Sequence, residues 1–378
     1  MSLRSSLFFV PVLAGAHFAH VTAAQAEVPN VVTDMAPIHS LVMQVMGDLG
    51  EPSVLMPQGA SPHGYALRPS DARAVQQADV VFWTGPKIEP WLDEVIDEIG
   101  DQTLSVPLAN VEGATVLEVR EGATFERHVH GEDEHDHDHD EAEAHDDHDH
   151  DDHDDHGHEE EAHDDHDDHA HEAEDHDDHD HDHDDHAHED EGHDDHDGHD
   201  DHDHAHEGTD GHAWLDPMNG RVWLGVIAEE LAALDAENAE TYRANAAAAQ
   251  EALDVKIAEI QSEMAPLSEM NFIVFHDAYN YFENRFGLSA AGSISISDAS
   301  APSPARIREI QDKVKEIGIT CVFSEPQFNA GLVNTVLDGT EAKSAVIDPL
   351  GVDLTPGAGF YGDLMDSLAG AFTACAED

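Results

Sequence analysis

Short runs of apolar residues alternate along this chain with segments whose apolar positions follow a helical spacing. Continuous apolar runs, which are typical of strands buried on both faces, stand at residues 31–32, 80–83, 272–275 and 345–347. Segments with apolar residues at helical spacing include residues 38–46, 90–99, 305–317 and 361–374. Strands that alternate with helices over short connections predict mostly parallel sheets flanked by helices. The pattern therefore indicates an α/β fold, and its repetition after residue 268 predicts two lobes.

One helical segment is longer than the others. Residues 236–267 are rich in Ala, Glu and Gln and contain no Gly and a single Pro, Pro266. About 30 helical residues extend roughly 45 Å, which exceeds the expected diameter of either lobe. We therefore predict a long rigid helix that joins the lobes; a coiled coil is the alternative, although the apolar heptads are not sustained. The predicted organisation is a signal peptide at 1–26, an N-terminal α/β lobe at 27–235, the linking helix at 236–267 and a C-terminal α/β lobe at 268–378.

The tract from residue 128 to residue 206 breaks this pattern. Of its 79 residues, 27 are His and 40 are Asp or Glu, and it contains no Lys or Arg. A segment so dense in like charge and so poor in apolar side chains cannot form a core, so we predict a disordered His/Asp-rich insertion within the N-terminal lobe. Imidazole and carboxylate groups together are ligands of borderline divalent metals, zinc above all. A solvated acidic linker with incidental His is the alternative interpretation.

The rest of the chain is also acidic. Outside the tract it has 44 acidic and 15 basic side chains. Such a surface repels nucleic acid and anionic lipid and attracts cations. We therefore expect no nucleic-acid partner.

The first 26 residues have the layout of a secretory signal. Arg4 supplies the positive region, residues 7–14 supply a short apolar region, and residues 24–26 form a small-x-small site that predicts cleavage near Ala26. A retained membrane anchor is the alternative, although the apolar run is too short to span a bilayer. The two cysteines of the chain, Cys321 and Cys375, suit an oxidising compartment, and we expect them to form a disulfide that ties the last helix to a strand.

Three polar residues follow predicted strands at their carboxyl ends, where ligands bind in open α/β sheets: His63, His276 and Asp348. With His212, which stands just after the tract, they make three imidazoles and one carboxylate, a set that suits tetrahedral zinc. Each has an ordinary alternative, because a single His can be a buried hydrogen-bonding group, Asp before Pro often forms a turn, and His212 can simply end the His-rich run. A zinc hydrolase would use the same histidines with Glu325 or Asp277 as general base, but the chain lacks an H-E-x-x-H motif.

Several motifs resemble one protein family. They are residues 59–63 (GASPH), 67–71 (LRPSD), 275–279 (FHDAY), 323–328 (FSEPQF) and 348–351 (DPLG). In this order, and with a charged His-rich loop between the first two candidate ligands, they resemble the periplasmic zinc-binding proteins of bacterial high-affinity zinc ABC importers. These belong to the cluster A-I substrate-binding proteins.

The resemblance implies a monomeric periplasmic protein that holds zinc between two α/β lobes without chemical turnover. It would deliver the zinc to an inner-membrane ABC permease and its ATPase. By this likeness His63, His212 and His276 would be ligands, and the fourth position would be Asp348 or water. The tract would be a weaker auxiliary zinc collector or sensor, and the long helix would keep lobe movements small. The alternatives are a periplasmic zinc buffer or chaperone, and a manganese or iron importer component; His276 favours zinc, since manganese members resemble this chain but carry a carboxylate there.

Overall fold

The computed structural model describes residues 28–120, 122–125, 208–295, 302–328 and 330–377. All of these residues belong to one compact unit. The predicted signal peptide at 1–26 and the His/Asp-rich tract at 128–206 lie outside the described residues.

The first half of the chain forms a sheet of four parallel strands. In chain order these are β1 (Val31–Thr33), β2 (Ser53–Val54), β3 (Val80–Trp83) and β4 (Leu104–Pro107). Their order in the sheet is β2-β1-β3-β4, so all four carboxyl ends meet at one edge. The helices that connect and flank them are α1 (Ala36–Met46), α2 (Pro69–Gln77) and α3 (Pro90–Ile99).

The second half repeats this plan. Its four parallel strands are β5 (Phe272–His276), β6 (Ser293–Ser295), β7 (Cys321–Ser324) and β8 (Lys343–Val346), in the order β6-β5-β7-β8. The helices of this half are α6 (Asn280–Phe286), α7 (Pro304–Ile317), α8 (Ala330–Leu337) and α9 (Phe360–Glu377). β5 lies between β6 and β7, so the residue that ends it reaches the middle of the carboxyl edge.

Two further helices stand between the sheets in the sequence, α4 (Pro217–Leu234) and α5 (Ala239–Met264). Helix α5 packs against α4 and also against α1 and α9, one from each half of the chain. A single hydrophobic cluster contains Phe82 of the first sheet, Tyr242 and Met264 of α5, and Phe272 and Phe323 of the second sheet. The apolar face of the long helix therefore joins the two halves through one continuous core.

The fold class predicted from the sequence is confirmed: two sheets of four parallel strands are flanked by helices. The four apolar runs noted in the sequence overlap β1, β3, β5 and β8. β4 has no such signal, because its residues alternate in character and end in Pro107. The helix assigned to the link spans Ala239–Met264, inside the predicted 236–267. Among the described residues, no helix combines the length and the apolar character that a membrane span requires.

The chain also passes between the two halves before the tract begins. Thr124 forms an antiparallel bridge with Gly292, and the amide of Phe125 donates to the carbonyl of Ala291 at 2.9 Å. Residues 122–125 therefore lie beside β6 of the second sheet, although they precede the tract in sequence. The expected disulfide between Cys321 on β7 and Cys375 on α9 is present, and its Cα atoms are 6.2 Å apart.

Candidate metal centre

His63 lies on a loop that is held in place by hydrogen bonds at other residues of the loop. The indole Nε1 of Trp91, in the first turn of α3, donates to the carbonyl of Pro62 at 2.9 Å. The amide of Gln58 donates to the carbonyls of Gly351 and Leu354 at 2.8 and 2.6 Å. Contacts on both sides of His63 thus fix the loop, and the imidazole itself is partly exposed.

The end of this loop is fixed by a small polar cluster. The hydroxyl of Tyr65 donates to the Asp71 carboxylate at 2.8 Å, and the Arg68 guanidinium bonds the same carboxylate and the carbonyl of Leu55. The backbone amide of Arg68 donates to Asp71 as well, at 3.0 Å, which caps the start of α2. The helix start therefore determines where the His63 loop ends.

His212 is buried and precedes a single 3₁₀ turn, Ala213–Leu215, that leads into α4. One carboxylate oxygen of Asp210 accepts from the backbone amide of His212 at 3.0 Å and lies 2.7 Å from its Nδ1. Asp210 therefore fixes both the backbone and the ring of this histidine. With Nδ1 engaged, Nε2 is the nitrogen that remains for a metal.

His276 is the last residue of β5 and is also buried. Its Nδ1 lies 2.7 Å from Oε1 of Glu325, which follows the adjacent strand β7. The same oxygen accepts from the His276 backbone amide at 3.4 Å. His276 and His212 are therefore oriented in the same manner, each by one buried carboxylate.

The three imidazoles converge although they come from distant parts of the chain. One possible ligand atom from each of His63, His212 and His276 lies within 4.8 Å of the other two. The ring centroids are 5.1, 6.2 and 5.4 Å apart, and Nε2 of His63 is 3.1 Å from Nε2 of His212. Nitrogens about 2.0–2.1 Å from a tetrahedral zinc would be about 3.3 Å apart, close to this separation. Within the described residues, this is the one group of three or more His, Cys, Asp or Glu side chains with such spacing.

The surroundings of the three imidazoles are buried and mostly apolar. The cavity that contains them is also bordered by Pro62, Trp214, Phe328, Pro349 and Leu350. Burial raises the pKa of Asp210 to about 7, an effect that the nearby Arg120 guanidinium and the His212 amide oppose. A cation at the three histidines would favour the ionised form of such a carboxylate.

Asp348, the predicted carboxylate candidate, lies at the end of β8 but does not belong to the group of three. Its Oδ1 accepts from Nε2 of Gln327 at 2.9 Å and from the amide of Leu350 at 3.0 Å. Its Oδ2 accepts from the amide of Val352 at 2.6 Å. These contacts are those of a residue that stabilises a turn.

The two residues considered as general bases are also engaged. Asp277 forms an ion pair with Arg120, and Glu325 is bonded to His276. Sequence reasoning missed Asp210 altogether, because it stands beside a tract already full of acidic residues. The one available signal was its position two residues before His212, a spacing at which an Asp side chain reaches the backbone amide.

Comparison with known proteins agrees with the motifs. The model of the family "ZnuA: Zinc-uptake complex component A periplasmic" matches residues 31–375. The chain is 44% identical over 346 residues to the high-affinity zinc uptake system protein ZnuA of Brucella abortus (strain 2308), covering 92% of this chain and 91% of that protein. It is 40% identical over 365 residues to the protein of that name from Paracoccus denitrificans, covering 96% and 97%.

Solved structures share the fold at lower identity. The structure described as "Crystal structure of ZnuA" has a TM-score of 0.60 and 21% identity, and covers 91% of this chain and 99% of that one. The Mn²⁺ complex of the solute-binding protein FpvC from Pseudomonas aeruginosa has a TM-score of 0.64 and 17% identity, and covers 93% and 99%. At these identities the likeness concerns the fold.

Proposed function

We propose that this chain, which belongs to the family of periplasmic zinc-uptake complex component A, captures Zn²⁺ and delivers it to an ABC importer. The family is one of solute-binding transport proteins, which is not an enzyme class. Zinc is therefore the cargo, held and released without chemical change.

The convergence of three imidazoles carries this proposal. His63, His212 and His276 would be the zinc ligands, with Nε2 of the two buried histidines directed by carboxylates at Nδ1. Neutral imidazole is a preferred zinc ligand, and three protein ligands leave a fourth tetrahedral position open to exchange. An open position suits a protein that must also release its metal.

We propose water for the fourth position. Both carboxylate oxygens of Asp348 accept hydrogen bonds from Gln327 or from the backbone. These bonds would break if the carboxylate moved to coordinate zinc. The Asp348→Asn variant tests this choice. It should bind zinc within about threefold of the parent if water is the ligand, whereas a loss of about 100-fold would assign Asp348 to the metal.

The proposed partners are the inner-membrane permease and its cytoplasmic ATPase. Residues 1–26 would direct export to the periplasm and be cleaved near Ala26, leaving a monomeric mature chain. Lobes divided at about residues 235 and 268 would move little relative to one another, because α5 packs against helices of both halves. Free and loaded structures that differ by a large domain rotation would contradict this.

Zinc titration of histidine variants tests the site directly. His63→Ala, His212→Ala and His276→Ala should each lose the tight site, measured by competition with a chromogenic chelator. His39→Ala is the matched control, because its Nε2 is bonded to the carbonyl of Pro52 and it does not belong to the group of three histidines. A tight site that survives all three changes would show that the ligands are wrongly assigned.

The role of the tract requires a separate comparison. A chain that lacks residues 129–205 should keep one tight site and support growth at moderate zinc if it serves an importer. A zinc buffer would lose its function with the tract. If the tract collects zinc for the tight site, its deletion should slow loading from dilute or chelated zinc, because it supplies a high local concentration of weak ligands.

A further inference from the structure

Two segments that flank the tract in sequence pair with each other beside the three histidines. Glu118 forms an antiparallel bridge with Thr209, and the amide of Val119 donates to the carbonyl of Gly208 at 2.9 Å. The amide of Asp210 donates to the carbonyl of Leu117 at 2.8 Å. We call residues 117–120 and 208–210 the stem. One segment of the stem ends at Asp210, whose carboxylate bonds His212, and the other ends at Arg120.

Arg120 lies between two acidic side chains of the second half. Its guanidinium bonds both carboxylate oxygens of Asp277 and both of Glu283, with Nη1 2.6 Å from Oε2 of Glu283 and Nε 3.0 Å from Oδ2 of Asp277. The three side chains are 13%, 9% and 2% exposed. The guanidinium carbon also lies 4.3 Å from the centre of the Phe125 ring. The planar guanidinium of Arg120 thus holds the carboxylates of Asp277 and Glu283 next to each other in a buried site.

This contact connects the stem to the backbone of a candidate ligand. Asp277 directly follows His276, and Glu283 on α6 accepts from the amide of Ala290 at 2.8 Å. A second connection runs in parallel: the hydroxyl of Tyr281 donates to the carbonyl of Asp210 at 2.8 Å and accepts from the amide of Leu117 at 3.1 Å. The end of β5, the start of α6 and the stem are therefore one bonded unit.

From this geometry we infer that Arg120 is a positioning residue for zinc: by holding Asp277 it sets the place of His276 relative to His212. The inference rests on the proposed function, since it assigns an action on the same three-histidine site. Arg120 acts through Asp277, the residue beside His276, while its own segment of the stem pairs with the segment that carries Asp210.

The Arg120→Lys variant is the main test, because it keeps the charge and removes the bidentate fork. The matched control is Arg306→Lys. Arg306 also joins the segment before the tract to the second sheet, through the carbonyls of Gly122, Ser293 and Ile294 and the hydroxyl of Ser293. Its charge reaches Asp277 only through space, without the hydrogen bonds that Arg120 makes. Both variants should melt at a lower temperature than the parent.

The zinc site should separate the two variants. In the full mature chain at chelator-buffered zinc, Arg120→Lys should bind about tenfold more weakly, while Arg306→Lys should match the parent. With one equivalent of Co²⁺, the visible spectrum that reports tetrahedral coordination should change in Arg120→Lys alone. A change in stability without altered coordination cannot produce that difference in spectra.

Asp277→Asn provides a second variant that keeps the shape of the cluster and the Glu283 pair. It should weaken zinc binding as well, and combining it with Arg120→Lys should add little, because both changes break the same connection. Parental affinity and Co²⁺ spectra in both single variants, or strictly additive losses in the double variant, would overturn the inference.

His212→Ala in the same titration separates this failure from that of the proposed function. If His212→Ala abolishes the tight site while Arg120→Lys and Asp277→Asn leave it intact, the zinc site stands and Arg120 has only a structural role. If His212→Ala itself keeps the tight site, the ligand assignment fails and the inference falls with it.

Discussion

His212 and His276 are buried and each has Nδ1 2.7 Å from a carboxylate oxygen, whereas His63 is partly exposed and lies on a loop fixed through its neighbours. Asp210 and Glu325 bond the two buried imidazoles directly. The loop of His63 is instead fixed by Trp91, which bonds the carbonyl of Pro62. The two sides of the site therefore differ in how firmly the ring itself is oriented.

In the proposed zinc site, this difference predicts different roles for the two sides. Two preoriented imidazoles would lose little conformational freedom on binding zinc, which favours affinity. A ligand on a loop can move without disturbing a sheet, which favours entry and release. We therefore expect changes on the buried side to alter affinity most, and changes on the loop side to alter rates.

The largest effect should come from pH, which acts on both sides at once. Zinc binding requires an unprotonated nitrogen on each imidazole, so protons compete with the metal as pH falls toward the ordinary His pKa of about 6.5. Between pH of about 7.5 and about 5.5, affinity should drop by at least about 100-fold. Competition titrations with a chelator of known pH dependence measure this. A drop of less than about tenfold would contradict binding by three neutral imidazoles.

Changes to the buried carboxylates should produce the next largest effect. Asp210→Asn and Glu325→Gln keep the shape but replace an acceptor that orients the ring and raises its basicity, so each should weaken zinc binding by about 10- to 100-fold. Asp235→Asn is the matched control, since this buried carboxylate bonds Asn238 and Tyr242, away from the histidines. If Asp210→Asn and Glu325→Gln both bind zinc as tightly as the parent, the carboxylates do not orient the imidazoles for zinc binding.

A smaller effect is expected on the loop side. Trp91→Phe keeps a ring against Tyr65 but removes the donor to Pro62, a hydrogen bond worth about 0.5–1.5 kcal/mol. Zinc should dissociate about two- to tenfold faster, as measured by stopped-flow transfer to a chelator. Trp83→Phe loses a similar bond, to Ser105, within the first sheet and should leave the rate unchanged. If zinc dissociates at the same rate from Trp91→Phe and Trp83→Phe, the loop side does not control zinc release.

Much of the fold could be predicted from the sequence because it depends on local patterns. Buried parallel strands such as β3 and β5 are continuous apolar runs, and parallel pairing sends their carboxyl ends to one edge. His63 and His276 are candidates for this reason, because each follows a predicted strand at its carboxyl end. β4 was missed because Leu104–Pro107 becomes a strand through its pairing with β3, and not through a strong pattern of its own.

The finer features of the site depend on contacts between distant residues. Glu325 meets His276 because β7 pairs with β5, across 49 positions of sequence. Arg120 meets Asp277 across 157 positions, and no local pattern indicates that pairing. Asp348 lies near the end of a strand, as expected from the sequence. Its hydrogen bonds to the amides of Leu350 and Val352 depend on the conformation of the turn, which the sequence pattern does not show.

The smallest effect on zinc should come from a buried pair of carboxyl groups at the start of α3. Asp34 and Glu89 are fully buried next to each other, and Glu89 precedes the first turn of α3, where Trp91 lies. Burial, together with the negative charge of Asp34, raises the pKa of Glu89 well above its usual value, and burial raises that of Asp34. On the His212 and His276 side carboxylates lie beside imidazoles, whereas here the negative charge of Asp34 disfavours ionisation of the buried Glu89.

A raised pKa in the folded state gives stability that is complete at low pH and is lost as pH rises through the folded pKa. Glu89→Gln removes this dependence because an amide does not titrate. As pH rises above the usual carboxyl pKa of about 4.5, the variant should therefore gain stability relative to the parent by on the order of 1 kcal/mol per pH unit until Glu89 ionises, measured by urea unfolding. Glu94→Gln, exposed on the same helix, should follow the parent. Zinc affinity should change in neither variant, because the Glu89 carboxyl does not hydrogen-bond an imidazole of the site. A Glu89→Gln curve parallel to that of the parent would show that the pKa of Glu89 is not raised in the folded protein.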